Sequence, residues 1–323
     1  MLEVRVLPRQ PRFPSSAQTT IRQPGETKII SMSQGAVRSP APRPLGPSSL
    51  LWRYAGDHRL SFTGLSAGIL QLMHPAIGAG VAQHSDFFND PWDRIIRSIP
   101  QILGVIYDPD PETLGHRVRD IHRRIKGLDD EGRRYNALSP ETFWWAHATF
   151  QFAVEQVVDR FDRRQLSDQE RHELYLDGVE WYRRYGVSMR PVPANRDSFR
   201  AELRRHCDEV LEMTPAAERA VEMALNDKSL GVPFLPWWTK PFHPLVVTPV
   251  LQLTAIGGLP GRVRRRFGIP WRIDQQMQYL SLQLAVRESW RFVPANLRYG
   301  PTAAAGRKAA KAAADQAGRA AVA

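Results

Sequence analysis

Between Leu70 and His122 the chain gathers four histidines, His74, His84, His116 and His122, together with Arg94, Arg97 and Arg119, among many apolar residues. An imidazole can ligate a metal or move a proton near neutral pH, and an arginine fork can hold a carboxylate. This is the composition of a pocket that holds a metal or transfers electrons. Cys207 is the only cysteine. That excludes an internal disulfide, a cysteine-based zinc site, an iron–sulfur cluster and a Cys-x-x-Cys-His haem attachment. A cofactor has to be held without a covalent link, or through histidine and carboxylate.

With Val118, Ile121 and Ile125, His122 falls on one stripe of a helix expected to run to about Lys126. A histidine there costs desolvation unless its ring nitrogens find partners. Two partners fit. A backbone carbonyl would make His122 a core residue; a haem iron would need a lone imidazole, an apolar slot and arginines for its propionates. Spacing alone leaves both open. Arg119, Arg123 and Arg124 flank His122. Arg94 and Ser98, four apart, share a helical face with Arg97 as a neighbour, and the isoleucines around them predict partial burial of Arg94 or Arg97. His74 precedes Pro75, which holds it extended or in a turn, so it either faces a ligand or breaks a helix. His84, in Gln83-His84-Ser85-Asp86, reads equally as a pocket residue or part of a capped helix end. His147 follows Trp144 and Trp145 on a second stripe with Phe143, Phe150, Val154 and Phe161. A second axial ligand, a hydrogen-bond donor over a bound ligand, or a core residue would all fit there.

Other chemistries find less support. Neither His-Glu-x-x-His nor paired Glu-x-x-His occurs, and Gly78-Ala-Gly80 lacks the third glycine of a dinucleotide loop. Gly64-Leu65-Ser66-Ala67-Gly68 does match the Gly-x-Ser-x-Gly elbow of serine hydrolases. That elbow needs a buried apolar strand before the serine, whereas Asp57 to Phe62 is largely polar.

The elements that must position these residues read as helices. From Leu51 to Arg298 the apolar periodicity is mostly helical, with no recurring strand alternation, and Pro91, Pro140, Thr214-Pro215 and Pro270 mark helix starts. Residues 1–46, rich in Pro, Ser, Gln and Arg, read as a disordered basic tail; residues 47–298 read as one helical domain. Residues 299–323 read as an Ala-rich basic tail or frayed helix with too little apolar surface to dock firmly. Of the net charge of +11, the first tail carries +5 and the last +3. A weakly basic body argues against a folded nucleic-acid groove. The longest apolar region, His243 to Leu259, is broken by two prolines and two glycines and makes a poor spanning helix. The expectation is a soluble, cytoplasmic protein with at most weak peripheral membrane contact.

The run Leu70-Gln-Leu-Met-His74-Pro-Ala-Ile-Gly-Ala-Gly-Val81-Ala-Gln-His84-Ser-Asp-Phe87 resembles the signature of the family that groups bacterial latex-clearing protein (rubber oxygenase) with fungal MpaB-type oxygenase. The resemblance continues through Asp90-Pro-Trp-Asp-Arg94-Ile-Ile-Arg97-Ser98, Val118-Arg-Asp-Ile-His122, Trp145-Ala-His147-Ala-Thr149, Gly268-Ile-Pro270-Trp271 and Arg291-Phe-Val-Pro294-Ala-Asn-Leu297-Arg298. It implies an all-α, globin-like domain that holds haem b and uses O2 on carbon–carbon double bonds of hydrophobic, isoprenoid-like molecules. By position, His122 matches the proximal iron ligand. Arg94 and Ser98 match an Arg-x-x-x-Thr pair at the haem, with serine here for threonine. Arg97 falls where rubber oxygenases can have an iron-capping lysine, and a guanidinium has no lone pair to give. Arg119 joins the cofactor-binding set, and His74, His84 and His147 are the candidates for a distal catalytic donor. The competing functions are a haem sensor or carrier without turnover and a hydrolase using Ser66.

Overall fold

The computed structural model describes residues 41–227, 232 and 237–320. The basic tail expected up to residue 46 falls outside the described residues as far as residue 40. Two short elements lead into the long helices: α1 (Leu50–Tyr54) and a 3-10 turn over His58–Leu60. Then follow α2 (Ser61–Leu72), α3 (Pro75–His84), α4 (Pro91–Tyr107) and α5 (Pro111–Ile121). A small antiparallel hairpin, β1 (Lys126–Leu128) with β2 (Arg134–Asn136), pairs Gly127 with Tyr135. After it come α6 (Pro140–Gln156), α7 (Asp168–Arg183), α8 (Arg196–Arg205) and α9 (Pro215–Asn226). The last four are α10 (Thr248–Gly257), α11 (Gly261–Arg266), α12 (Ile273–Ser289) and α13 (Pro301–Ala320). The fold is helical, as the periodicity predicts.

Local chemistry starts these helices. Asp90, Asp110 and Thr214 each accept a backbone N–H from the first turn while proline occupies the next position, where its missing N–H costs nothing. Pro140 starts α6 as expected. Pro270 does not start α12: Gly268 turns the chain with φ +62°, and the helix begins at Ile273 behind the Arg272 and Gln275 capping pair.

The core is centred on α6, which packs against α2 and α7 and is buried on most of its faces, including Trp144, Trp145, Ala148, Thr149 and Val154. A one-sided amphipathic helix would sit at the surface; an all-round apolar one goes to the middle. The α4–α5 pair lies beside this core. There α5 crosses the end of α7 so closely that a Cβ on Gly115 would stand 2.1 Å from the Arg184 carbonyl oxygen. Arg184 also donates to the Val105 carbonyl at 2.9 Å, joining α4 to the same point. The C-terminal segment, expected to be too poor in apolar surface to dock, forms α13 and packs against α4 at its first turns. Small residues make this contact: Ala303 is fully buried, and a Cβ on Gly306 would meet the Tyr107 carbonyl oxygen at 2.5 Å. Beyond Lys308 the helix is mostly exposed.

Candidate functional site

Helix α5 ends at Ile121, and His122 is its C-cap, beginning a 3-10 turn over His122–Arg124. The expected continuation of the helix to about Lys126 is replaced by this turn and by β1. The stripe changes with it: Val118 is buried, but Ile121 is exposed. The His122 ring is half-buried, edge-on to Phe143 at 5.7 Å. Its Nδ1 donates to the Val118 carbonyl at 2.7 Å. A carbonyl only accepts, so Nδ1 carries the hydrogen and Nε2 keeps a lone pair. Burial lowers the His122 pKa; the Val118 bond raises it, and the Arg94 guanidinium lowers it again. The net direction favours the neutral imidazole, the form that ligates metals.

Arg94 projects from α4 towards this ring. It is half-buried, donates to the Ser85 hydroxyl at 2.6 Å, and no carboxylate pairs with it among the described residues. Burial and then Arg97 lower its pKa. Ser98 is half-buried one turn further along. Arg97 and Arg119 differ from Arg94. Arg97 is exposed and paired with Asp93 at 2.6 Å; Arg119 is tied to Asp120 at 2.8 Å and to the Gly186 carbonyl at 3.3 Å. Of the arginines named from the sequence, only Arg94 combines burial, proximity to His122 and a free charge.

The three candidate catalytic histidines make contacts of their own. His84, the last residue of α3, is exposed. Gln83 uses its amide on the Leu128 carbonyl, so its Oε1 accepts the Tyr135 hydroxyl at 2.6 Å, and His84 Nε2 donates to the same Tyr135 oxygen at 3.1 Å. Gln83 and His84 therefore clamp the end of α3 to the hairpin. His74 is the extended N-cap of α3, as its position before Pro75 predicts, and it is buried. Its ring faces His206 at 6.4 Å, and His206 lies flat on Trp145 at 4.4 Å. Burial, then His206, pushes the His74 pKa down to about 4. Sequence reasoning missed His206, which sits in the π-helical turn His206–Val210 and gives its Nδ1 to the Glu202 carbonyl at 3.1 Å. No spacing could place it beside His74, because α8 and α3 are brought together only by packing.

His147 is enclosed by Trp144, Trp181, Tyr182 and Tyr185. Nε2 donates to the Gly178 carbonyl at 2.9 Å, Nδ1 is buried without a partner, and burial pushes its pKa to about 3. This is the core-residue alternative for His147: the ring is a strut between α6 and α7, linked to His122 through Tyr182 or Tyr185 and Phe143. The hydrolase reading also fails. Ser66 lies in the middle of α2, fully buried, with its hydroxyl donated to the Thr63 carbonyl at 2.8 Å. A strand-to-helix elbow would present that oxygen to substrate.

The family described as ER-bound oxygenase mpaB/B'/Rubber oxygenase, catalytic domain, matches residues 52–288. The chain belongs to this family. It is thus a member of an oxygenase family, and the matched span contains Arg94, Ser98 and His122 while stopping before α13. No curated protein and no solved structure matches the chain significantly.

Among the described residues no three His, Cys, Asp or Glu side chains converge as a metal site. No single described helix is long and apolar enough to cross a membrane; the bent pair His58–Leu72 and Pro75–His84 passes only together, across a 96° break.

Proposed function

We propose that this oxygenase-family chain works with haem b and O2 on a hydrophobic molecule containing a carbon–carbon double bond, with His122 as the iron ligand. The observation that carries the reading is the division of labour in the His122 ring. Nδ1 is committed to the Val118 carbonyl, and Nε2 has no hydrogen-bond partner among the described residues on a ring that is half-buried. A hydrogen bond at one ring nitrogen fixes which nitrogen a metal can take and how the ring is turned. A macrocycle brings four nitrogens of its own, so a lone imidazole suffices on the protein side. Arg94 supplies a cation with no carboxylate partner, suited to a propionate, and Ser98 adds a hydroxyl on the same helix face. The residues present fit the group.

When bound, the haem supplies the activation of O2 that the side chains cannot provide. The chain holds and orients. The Val118 carbonyl aims the imidazole, burial and the Arg94 charge keep it neutral, and Arg94 would pair with a propionate. His74 faces His206 and His147 is sealed in the core, so the reading assigns neither to catalysis.

The test is the ultraviolet–visible spectrum and pyridine haemochrome of the purified, haem-supplemented protein, followed by O2 uptake with isoprenoid-like alkenes. A Soret band at near one b-type haem per chain with alkene-dependent O2 uptake supports the reading. O2 binding with no uptake on any alkene makes the chain a carrier or sensor, and absence of a Soret band after supplementation overturns the assignment.

A further inference from the structure

The hydroxyl that Arg94 meets is not the one on its own helix. Ser98 shares its face but makes no hydrogen bond among the described residues, whereas Arg94 Nη1 stands 2.6 Å from the hydroxyl oxygen of Ser85. Ser85 caps the C-terminal end of α3 with extended backbone, φ −142° and ψ 137°. That end is held next to the turn that carries His122. Gly80 lies so close to Ile125, the residue that closes the turn, that a Cβ on it would stand 3.1 Å from Ile125 Cγ2. Gln83 donates to the Leu128 carbonyl of β1 at 2.8 Å and fixes the same end. Residues 85–90 then turn the chain back into α4, and Arg94, in its first turn, returns to Ser85.

A hydroxyl has two lone pairs and one hydrogen. Both lone pairs of Ser85 Oγ are engaged: the Phe87 backbone N–H donates to it at 3.1 Å and the Arg94 guanidinium at 2.6 Å. Its hydrogen therefore points away from both donors, and no acceptor takes it among the described residues. Arg94 is in the same condition. Its other N–H groups make no hydrogen bond and no carboxylate pairs with it among the described residues, and burial, then Arg97, lowers its pKa. We infer that Ser85 and Arg94 form one carboxylate site, in which Arg94 supplies the charge and the Ser85 hydroxyl donates a hydrogen bond to the same anion. A carboxylate only accepts and has two oxygens, so it can take the guanidinium and the hydroxyl at once. A neutral acceptor would satisfy the hydroxyl and leave the half-buried charge unmatched. The inference rests on the haem reading, in which the anion is a propionate, and it gives Ser85 a share in holding that group.

The experiment is a titration of the full chain with haem b and with its dimethyl ester, whose esterified propionates carry no charge, followed at the Soret band. Ser85→Ala should weaken the binding of haem b by roughly tenfold, the worth of one hydrogen bond to a charged group. Ser85→Thr should bind within about threefold of the wild type, because threonine keeps the hydroxyl and suits extended backbone. With the ester, the wild type and Ser85→Ala should differ by about threefold or less. Equal affinity of the wild type and Ser85→Ala for haem b overturns the inference and leaves the haem reading standing. An equal loss with haem b and with the ester overturns it too, since the variant has then lost its fold and not a donor to the anion. No Soret band with the wild type overturns the haem reading, and this inference with it.

Discussion

His122 and His147 each give one ring nitrogen to a backbone carbonyl, Nδ1 in His122 and Nε2 in His147, and they differ most in the surroundings of the other nitrogen. His122 donates within its own helix, to Val118, at the point where α5 runs out. The remaining Nε2 sits at the edge of the fold beside an unpaired guanidinium. His147 donates across to α7, and its remaining Nδ1 is sealed in the core without a partner. Two imidazoles in opposite tautomers thus differ in setting, the first proposed as a ligand and the second a strut. What separates them is position along the helix: a helix end opens onto turns and solvent, whereas the middle of a central helix opens onto other side chains.

The sharpest way to break this comparison is to remove each ring. His122→Ala should abolish haem retention while changing the stability of the apoprotein by about 1 kcal/mol or less, since only one local bond is lost. The check is haem content beside a denaturant melt. His147→Ala should do the reverse at the level of stability. It leaves a cavity in the core, and should cost about 3 kcal/mol in urea unfolding.

His74 extends the contrast to pH. The unfolded chain protonates this histidine near its ordinary 6.5, the folded chain only near about 4. Between those values the unfolded state binds the extra proton. Stability is therefore fully present above 6.5 and is lost as the pH falls towards 4, by about 3 kcal/mol in all. His74→Asn should flatten that part of the stability profile by about one proton. An unchanged slope in the variant would mean that His74 is not the group being titrated.

The smallest effects separate the arginines. Arg94→Gln should weaken haem binding by roughly tenfold to a hundredfold, the worth of a charge-assisted bond. Arg97→Gln should change it by about 0.5 kcal/mol or less, because Arg97 is solvated and paired with Asp93. Equal effects from the two would dissolve the distinction drawn between them.

Helix starts were legible in the chain because their physics is local: Asp90-Pro91 and Thr214-Pro215 need only a side-chain acceptor and a missing N–H, and Ser139-Pro140 only the missing N–H. The His122 to Val118 contact is local too, four residues back on one helix. The approach of Arg94 to His122 depends on how α4 packs against α5. The hairpin was invisible because three residues are too few to show alternation, and its partner strand lies across a turn. The docking of α13 was missed for a different reason. Apolar area was the quantity weighed, whereas Ala303 and Gly306 bring two backbones together by having almost no side chain. His206 stands beside His74 only through tertiary packing, and nothing in the spacing announces it.

The most direct measurement of the central claim is a haem titration of the His122→Gly variant with and without added imidazole, followed at the Soret band. If His122 Nε2 is the iron ligand, the variant should take up b-type haem only when imidazole fills the space left by the ring. Full haem uptake by His122→Gly without imidazole would contradict the assignment.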